Sequence, residues 1–301
     1  MTRIQVSDLT KTFTLRSGLR RSTLKAVDRV SFELAPGRTV ALVGESGSGK
    51  STIARMLARL EKPTSGAITV TRNDGAAVQN SAYRRHVQMV FQDPFASLNP
   101  FHSIAHHIAR PLRLHGQTHG REQTHLRVLR MLERVNLTPA ADIAARRPHE
   151  LSGGQRQRVA IARALAPGAD VVIADEPVSM LDVSIRLEVL NLMARLQRED
   201  NLAVLYITHD LATARHFSDD ILVMYRGRVV ERGPADDVIL NPQHPYTQLL
   251  AQAAPDPERP GKMIGSSAVD RTKLDNQTTY DHHTGQWTSA DGTSRRSGNA
   301  R

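Results

Sequence analysis

Residues 3–8, Arg-Ile-Gln-Val-Ser-Asp, alternate apolar and polar side chains, which predicts a strand buried on one face. Residues 26–34 alternate again, and Pro36-Gly37 ends that stretch in a turn. Thr39-Val40-Ala41-Leu42-Val43 is apolar throughout, the pattern of a strand covered on both faces. It feeds a Gly-rich loop and a helix predicted over 50–60. Further strands are predicted at 66–70 and 87–91. From 101 to 166 the spacing turns helical, as in Leu126, Leu129, Leu132 and Val135, within a His- and Arg-rich stretch. The strand pattern returns at 171. Val171–Ala174 reads as a buried strand, 184–198 as an amphipathic helix and 203–208 as another buried strand. Residues 221–225 and 228–231 read as a short hairpin across Arg226-Gly227. Strands alternating with helices predict an α/β fold with a parallel sheet.

Composition narrows the reading only slightly. The 301 residues are 40% hydrophobic and 4% aromatic, so the core must be built mainly from Leu, Val, Ile and Ala. There is no cysteine, which removes disulfides, thiolate nucleophiles and zinc-thiolate sites. No apolar run approaches the roughly 20 residues of a membrane span, and Met1-Thr2-Arg3-Ile4-Gln5-Val6 has no apolar stretch of signal-peptide type. The expectation is a chain that neither crosses a membrane nor is exported by such a signal. The net charge of +10 comes from 40 basic and 30 acidic residues. Nucleic acid, anionic lipid headgroups or phosphate ligands would all suit that balance, and charge alone chooses none of them. From 258 to 301, Ile264, Val269 and Leu274 are the only Leu, Ile or Val among Ser, Thr, Gly, Asp and Arg. Such a segment cannot bury enough to offset chain entropy, and it is expected to be a disordered tail holding the single tryptophan, Trp287.

Gly44-Glu45-Ser46-Gly47-Ser48-Gly49-Lys50-Ser51, followed by Thr52, fits G-x-x-x-x-G-K-[ST] between a buried strand and a helix. Glycines let a backbone wrap an anion and aim N–H groups at it, and the helix N-terminus adds positive potential. Lys50 would reach the β- and γ-phosphates, and Ser51 would ligate Mg²⁺. A second element narrows the class: Val171-Val172-Ile173-Ala174 ends in Asp175-Glu176. Acids at the carboxyl edge of a parallel sheet lie where ligands bind. Asp175 is placed to hold Mg²⁺, and Glu176 to polarise an attacking water. A third element is Leu151-Ser152-Gly153-Gly154-Gln155, followed by Arg156-Gln157-Arg158-Val159-Ala160-Ile161-Ala162-Arg163-Ala164-Leu165. Ser152 and two glycines before a helix make a second anion site of the helix-N-terminus type.

This last run resembles the signature sequence of ATP-binding-cassette (ABC) ATPases. The other motifs fall into that family's order over residues 3–257. Phe13 resembles the aromatic that stacks on adenine, though Tyr is common there. Gln92 in Phe91-Gln92-Asp93-Pro94 resembles the glutamine of the Q-loop, a further Mg²⁺ ligand. Ser179-Met180-Leu181-Asp182 resembles the D-loop, with Met180 where a small residue is usual. His209 in Ile207-Thr208-His209-Asp210 resembles the switch histidine at the γ-phosphate. A narrower resemblance, to the oligopeptide/dipeptide/nickel importer branch, rests on Phe91–Pro100, Asp175–Ser179 and His244-Pro245-Tyr246-Thr247-Gln248-Leu249-Leu250. The absence of cysteine excludes the iron–sulfur cluster that some relatives carry in a C-terminal extension.

The resemblance implies a P-loop NTPase, ABC-type core with a small antiparallel β portion and a helical subdomain inserted at about 93–166. It implies a branch-specific segment at about 233–257. It further implies ATP and Mg²⁺ as ligands, catalysis by Lys50, Gln92, Glu176 and His209, and nucleotide contacts from Phe13, Gly44–Thr52, Gln92 and Asp182. Gly153 and Gln155 are further implied nucleotide contacts, and Ser152 and Gly154 would act on the ATP of a second, homologous or identical cassette paired head to tail. The implied setting is the cytoplasmic face of a membrane, peripherally bound to permease subunits and served indirectly by a substrate-binding protein. Peptides are the first reading of the cargo; nickel or a metal chelate is the alternative. A soluble ABC ATPase acting on nucleic acid or the ribosome is the rival class, disfavoured by the single cassette and by residues 244–250. His102, His106, His107, His115 and His119 read as histidines on the surface of the helical subdomain, not as a metal site. Arg16, Arg20 and Arg21 form a basic loop cluster.

Overall fold

The computed structural model describes residues 1–17, 20–72, 74–253, 278–289 and 294–296. The chain divides into two compact units. One holds 1–3, 35–37 and 70–204; the other holds 4–34, 38–69 and the chain from 205 onward.

The second unit opens with a long antiparallel ribbon, β1 (Thr2–Ser17) on β2 (Arg20–Leu34), with β4 (Ser65–Arg72) on the far side of β1. The ribbon is much longer than the alternation at 3–8 and 26–34 predicted. Its near half is buried through Ile4, Val6, Leu9, Val27, Val30, Phe32 and Leu34. Its far half pairs Phe13 with Leu24 and Ser17 with Arg20 and leaves Leu15 and Leu24 about half exposed. A ribbon wet on both faces has no period-2 pattern to read. The side chains of the basic cluster Arg16, Arg20 and Arg21 lie outside the described part.

The main sheet of this unit runs in the order β12-β11-β10-β9-β8-β3-β7. Here β3 is Thr39–Val43, β7 Ala203–Thr208, β8 Asp220–Tyr225 and β9 Arg228–Pro234. β10 (Thr278–Asp281), β11 (Gln286–Ser289) and β12 (Ser294–Arg296) complete it. All five residues of β3 are buried, as their apolar run predicted, and β3 pairs in parallel with β8. α1 (Lys50–Leu57) follows β3; α9 (Leu211–Phe217), α10 (Ala235–Leu240) and α11 (Pro245–Ala253) follow the later strands.

The expectation of disorder from 258 onward fails over the described part of that tail. Thr278–Asp281 pairs in parallel with β9, Tyr280 opposite Glu231, and turns back through Gly285 into β11. The physical reason is local: β-branched and aromatic residues flank a turn, and β9 offers them an edge. Residues 258–277 lie outside the described part.

The first unit pairs β5 (Val87–Val90) in parallel with β6 (Val171–Asp175), and β6 is buried throughout. α2 (Asn80–His86) precedes β5. Between the two strands run α3 (Pro94–Ser97), α4 (Ile104–Leu114), α5 (Arg121–Arg134), α6 (Ala140–Ala145), a 3₁₀ turn at Pro148–Glu150 and α7 (Gly153–Leu165). α4 packs on α5, α6 and α7. Ile104, Ile108, Leu112, Val128 and Leu132 make their core, each worth about 1.5–3 kcal/mol when fully buried. α8 (Val183–Asp200) follows β6 and packs on α7.

Candidate nucleotide site

The phosphate-loop residues are held by a lysine that the loop itself surrounds. Lys50 is the first residue of α1 and is buried. Its Nζ donates to the carbonyl oxygens of Gly44 and Glu45, both at 2.7 Å, and to Ser48 Oγ at 3.4 Å. Gly44 has no room for a side chain: a Cβ there would stand 2.2 Å from the Met224 carbonyl oxygen. Gly49 caps α1 at φ +107°, and its Cβ would stand 2.2 Å from the Ala26 carbonyl oxygen. The residue before α1 is a glycine, so no N-cap side chain bonds the start of the helix. At Gly47 a Cβ would meet nothing within 4 Å, which leaves the loop open at that point. An uncapped N-terminus behind an open, glycine-lined loop fits a phosphate chain.

In the same unit, His209 is exposed directly after β7, and Asp210 caps α9 by accepting from Ala212 N at 2.9 Å. Phe13 is half-buried on β1, with the Lys11 ammonium 4.9 Å from its ring centroid.

In the other unit, Asp175 closes β6 and is buried, and Glu176 follows it in a left-handed backbone conformation at φ +44°. Strain of this kind in a non-glycine residue costs of order 1–3 kcal/mol and clusters at functional sites. Gln92, two residues past β5, donates from Nε2 to Glu176 Oε2 at 3.1 Å, so these two predicted residues meet. The oxygen donors of Ser51, Gln92 and Asp175 are of the kind a hard divalent cation takes.

Ser152 and Gln155 close on each other. Ser152 Oγ accepts from Gln155 N at 3.3 Å, and Gln155 Oε1 accepts from Ser152 N at 3.0 Å, a capping box at the start of α7. Gly154 has a packing role as well, since a Cβ there would stand 2.5 Å from Ile185 Cγ2 on α8. Asp182 sits exposed at the start of α8 without a side-chain cap bond.

The histidines of α4 are not all on the surface. His102 and His106 stack at 4.0 Å, while His107 is buried with Nε2 3.0 Å from the Asn99 carbonyl oxygen. Burial pushes His106 and His107 below the ordinary histidine value. Among the described residues no group of three His, Asp or Glu side chains could hold a metal ion, and no helix is long and apolar enough to cross a membrane.

The sequence reading missed two residues near the loop. Tyr246 donates nothing to the predicted chemistry, yet its hydroxyl accepts from Glu45 N at 2.9 Å. Glu231 is fully buried and accepts from the backbone N–H groups of Gln243 and His244, just before Tyr246. The His-Pro-Tyr-Thr run pointed to the segment but not to this contact.

The ABC transporter family model matches residues 27–179, and the model for the oligopeptide/dipeptide transporter C-terminal region matches residues 230–280. The chain belongs to the ABC transporter family, on the ATP-binding side. It has the ABC ATPase fold. The di/tripeptide transport ATP-binding protein DppF of Pseudomonas aeruginosa is 47% identical over 262 residues, covering 84% of this chain and 80% of that protein. The oligopeptide transport ATP-binding protein AppF of Bacillus subtilis is 46% identical over 278 residues, covering 90% and 84%. The glutathione import ATP-binding protein GsiA of Pectobacterium atrosepticum is 48% identical over 266 residues, covering 85% of this chain but only 42% of GsiA, which is much longer. Among solved structures, the dimeric, post-hydrolysis ATP-binding cassette MJ0796 bound to ADP and Pi matches with TM-score 0.64 and 30% identity, covering 77% of this chain and 98% of that one. The second family match runs to residue 280, beyond residue 257, where the sequence resemblance was expected to end.

Proposed function

We propose that this chain is the ATP-hydrolysing subunit of an ABC importer for oligopeptides or dipeptides. The observation that carries the reading is the buried Lys50, gripped by the carbonyls of a glycine loop, at the head of a helix with no side-chain cap. The N–H groups at the start of α1 and Lys50 hold the phosphates of ATP. Glu176, fixed by Gln92, orients and deprotonates the attacking water, and His209 contacts the γ-phosphate. Phe13 stacks on the adenine. Ser51, Gln92 and Asp175 hold Mg²⁺, which when bound neutralises charge on the phosphate oxygens. The rest of catalysis is positioning and charge stabilisation.

Two cassettes pairing head to tail complete each site, with Ser152–Gln155 and Asp182 of one chain serving the ATP of the other. Exposed apolar side chains around the D-loop support such a partner: Met180 is 54% exposed, Val183 72% and Leu187 49%. Of the two cargo readings left open above, the C-terminal family match and the names of the relatives favour peptides over nickel. The chain works at the cytoplasmic face of the membrane, bound to permease subunits that receive cargo from a binding protein, with no nucleic acid involved. In the assembled transporter, Glu176→Gln should cut steady-state ATP turnover by about 100-fold or more while nucleotide still binds. Turnover within about threefold of the unmodified transporter would overturn the role of Glu176.

A further inference from the structure

The C-terminal segment reaches the phosphate loop at one peptide group. The carbonyl of Gly44 accepts from Lys50 Nζ, and the N–H of the same peptide, on Glu45, donates to the Tyr246 hydroxyl. Lys50 and Tyr246 therefore hold opposite ends of a single peptide plane. The Glu45 carbonyl that follows also accepts from Lys50 and from Ser48 N at 3.2 Å. If that plane rotated, Lys50 would lose one of its two carbonyl acceptors.

Tyr246 is itself fixed. It is 3% exposed, and its ring lies 4.3 Å from that of Tyr225 at the end of β8. Burial pushes its phenol up to about 12, so it stays a neutral acceptor. Its own N–H donates to His244 Nδ1 at 3.1 Å, which caps the start of α11. The residues before it are held by the buried carboxylate of Glu231, which accepts from Gln243 N at 2.8 Å, His244 N at 2.9 Å and His282 Nε2 at 2.7 Å. That one carboxylate ties the start of α11 to the C-terminal hairpin. A buried carboxylate is tolerated only when paired and hydrogen-bonded in this way.

We propose that Tyr246 is a positioning residue of the phosphate loop, fixing the Gly44–Glu45 peptide so that its carbonyl holds Lys50, with the Glu231 cluster as its anchor. The proposal rests on the nucleotide reading above. The segment after β9 then belongs to the nucleotide site, and its state sets nucleotide affinity.

The test is a double-mutant cycle on the full chain. Tyr246→Phe keeps the ring and removes the acceptor; Glu45→Pro removes the donor from the other side. Binding of a fluorescent ATP analogue and the melting temperature are read for each variant, with Lys50→Ala as the control. Each single change should weaken binding by about 3- to 10-fold, the scale of one hydrogen bond, and Tyr246→Phe should add nothing in the Glu45→Pro background. Amide exchange at Glu45 in the nucleotide-free protein should quicken in Tyr246→Phe. A Tyr246→Phe protein with unchanged affinity and unchanged Glu45 exchange, in a protein where Lys50→Ala loses binding, would overturn the proposal alone. So would an equal loss from Tyr246→Phe in both backgrounds, since that marks a purely structural tyrosine. If Lys50→Ala binds as tightly as the unmodified chain, the nucleotide reading falls and the proposal falls with it.

Discussion

The helices α1 and α7 both begin in glycine-rich turns, and they treat their first N–H groups in opposite ways. α1 starts at Gly49-Lys50 with no side-chain cap, and the loop before it is held by Lys50 from within. α7 starts at Ser152 with a reciprocal box, so its own side chains occupy the donors that a phosphate would take. The open end is ready for a ligand in a single chain. The closed end is a stable helix start, and under the proposed function it would exchange its box for a phosphate oxygen. That difference suits the two roles proposed above, one end for this chain's nucleotide and the other for a partner's.

The comparison is broken most severely by Ser152→Arg. In a dimer with a distinct partner cassette, the bulky cation should block closure on the partner's ATP and lower turnover there by about 100-fold or more. Turnover at that site unchanged, with loss at this chain's own site instead, would reverse the assignment. Gly154→Ala is the next largest change. Its Cβ would press on Ile185, which should cost about 1–3 kcal/mol in thermal denaturation. An unshifted melting temperature would show that α7 and α8 give way freely. Ser152→Ala removes one half of the box and should cost about 1 kcal/mol. A similar change at Gly49 has no counterpart to remove, because α1 has no side-chain cap.

The smallest effect concerns pH at the C-terminal segment. Burial lowers the His244 pKa, against the pull of the Glu231 carboxylate. A histidine whose folded pKa lies below its unfolded value keeps its full contribution above about 6.5 and loses stability as pH falls below that value. His244 must be neutral for Nδ1 to accept from Tyr246 N. The ring of Trp287 lies 6.2 Å from that of His244, so tryptophan emission should report a loosening of the hairpin on acidification from pH 7 to pH 5. Emission that stays constant over that range would contradict it.

Much of the fold could be read in advance because it is buried on both faces. β3, β6 and β7 are continuous apolar runs, and their predicted and observed spans agree to within a residue. The far half of the ribbon could not, since Leu15, Leu24 and their neighbours face water and carry no alternation. The loop, the two acids and the signature run were legible as motifs. The Gln92–Glu176 bond and the Ser152–Gln155 box were not, since each depends on where a side chain turns. Glu231 shows the limit most clearly. Its burial rests on donors at 243, 244 and 282, which no local pattern around residue 231 reveals. The hairpin did leave a signal: Thr278-Thr279-Tyr280 and Trp287-Thr288 flank Thr284-Gly285. The average composition of the tail outweighed it.

The claim that the uncapped start of α1 is the nucleotide site is tested most directly by titrating the purified chain with ATP and comparing it with Lys50→Ala. Saturable binding of one nucleotide per chain is expected, weakened by about 10-fold or more in Lys50→Ala. Equal affinity in the two proteins would contradict it.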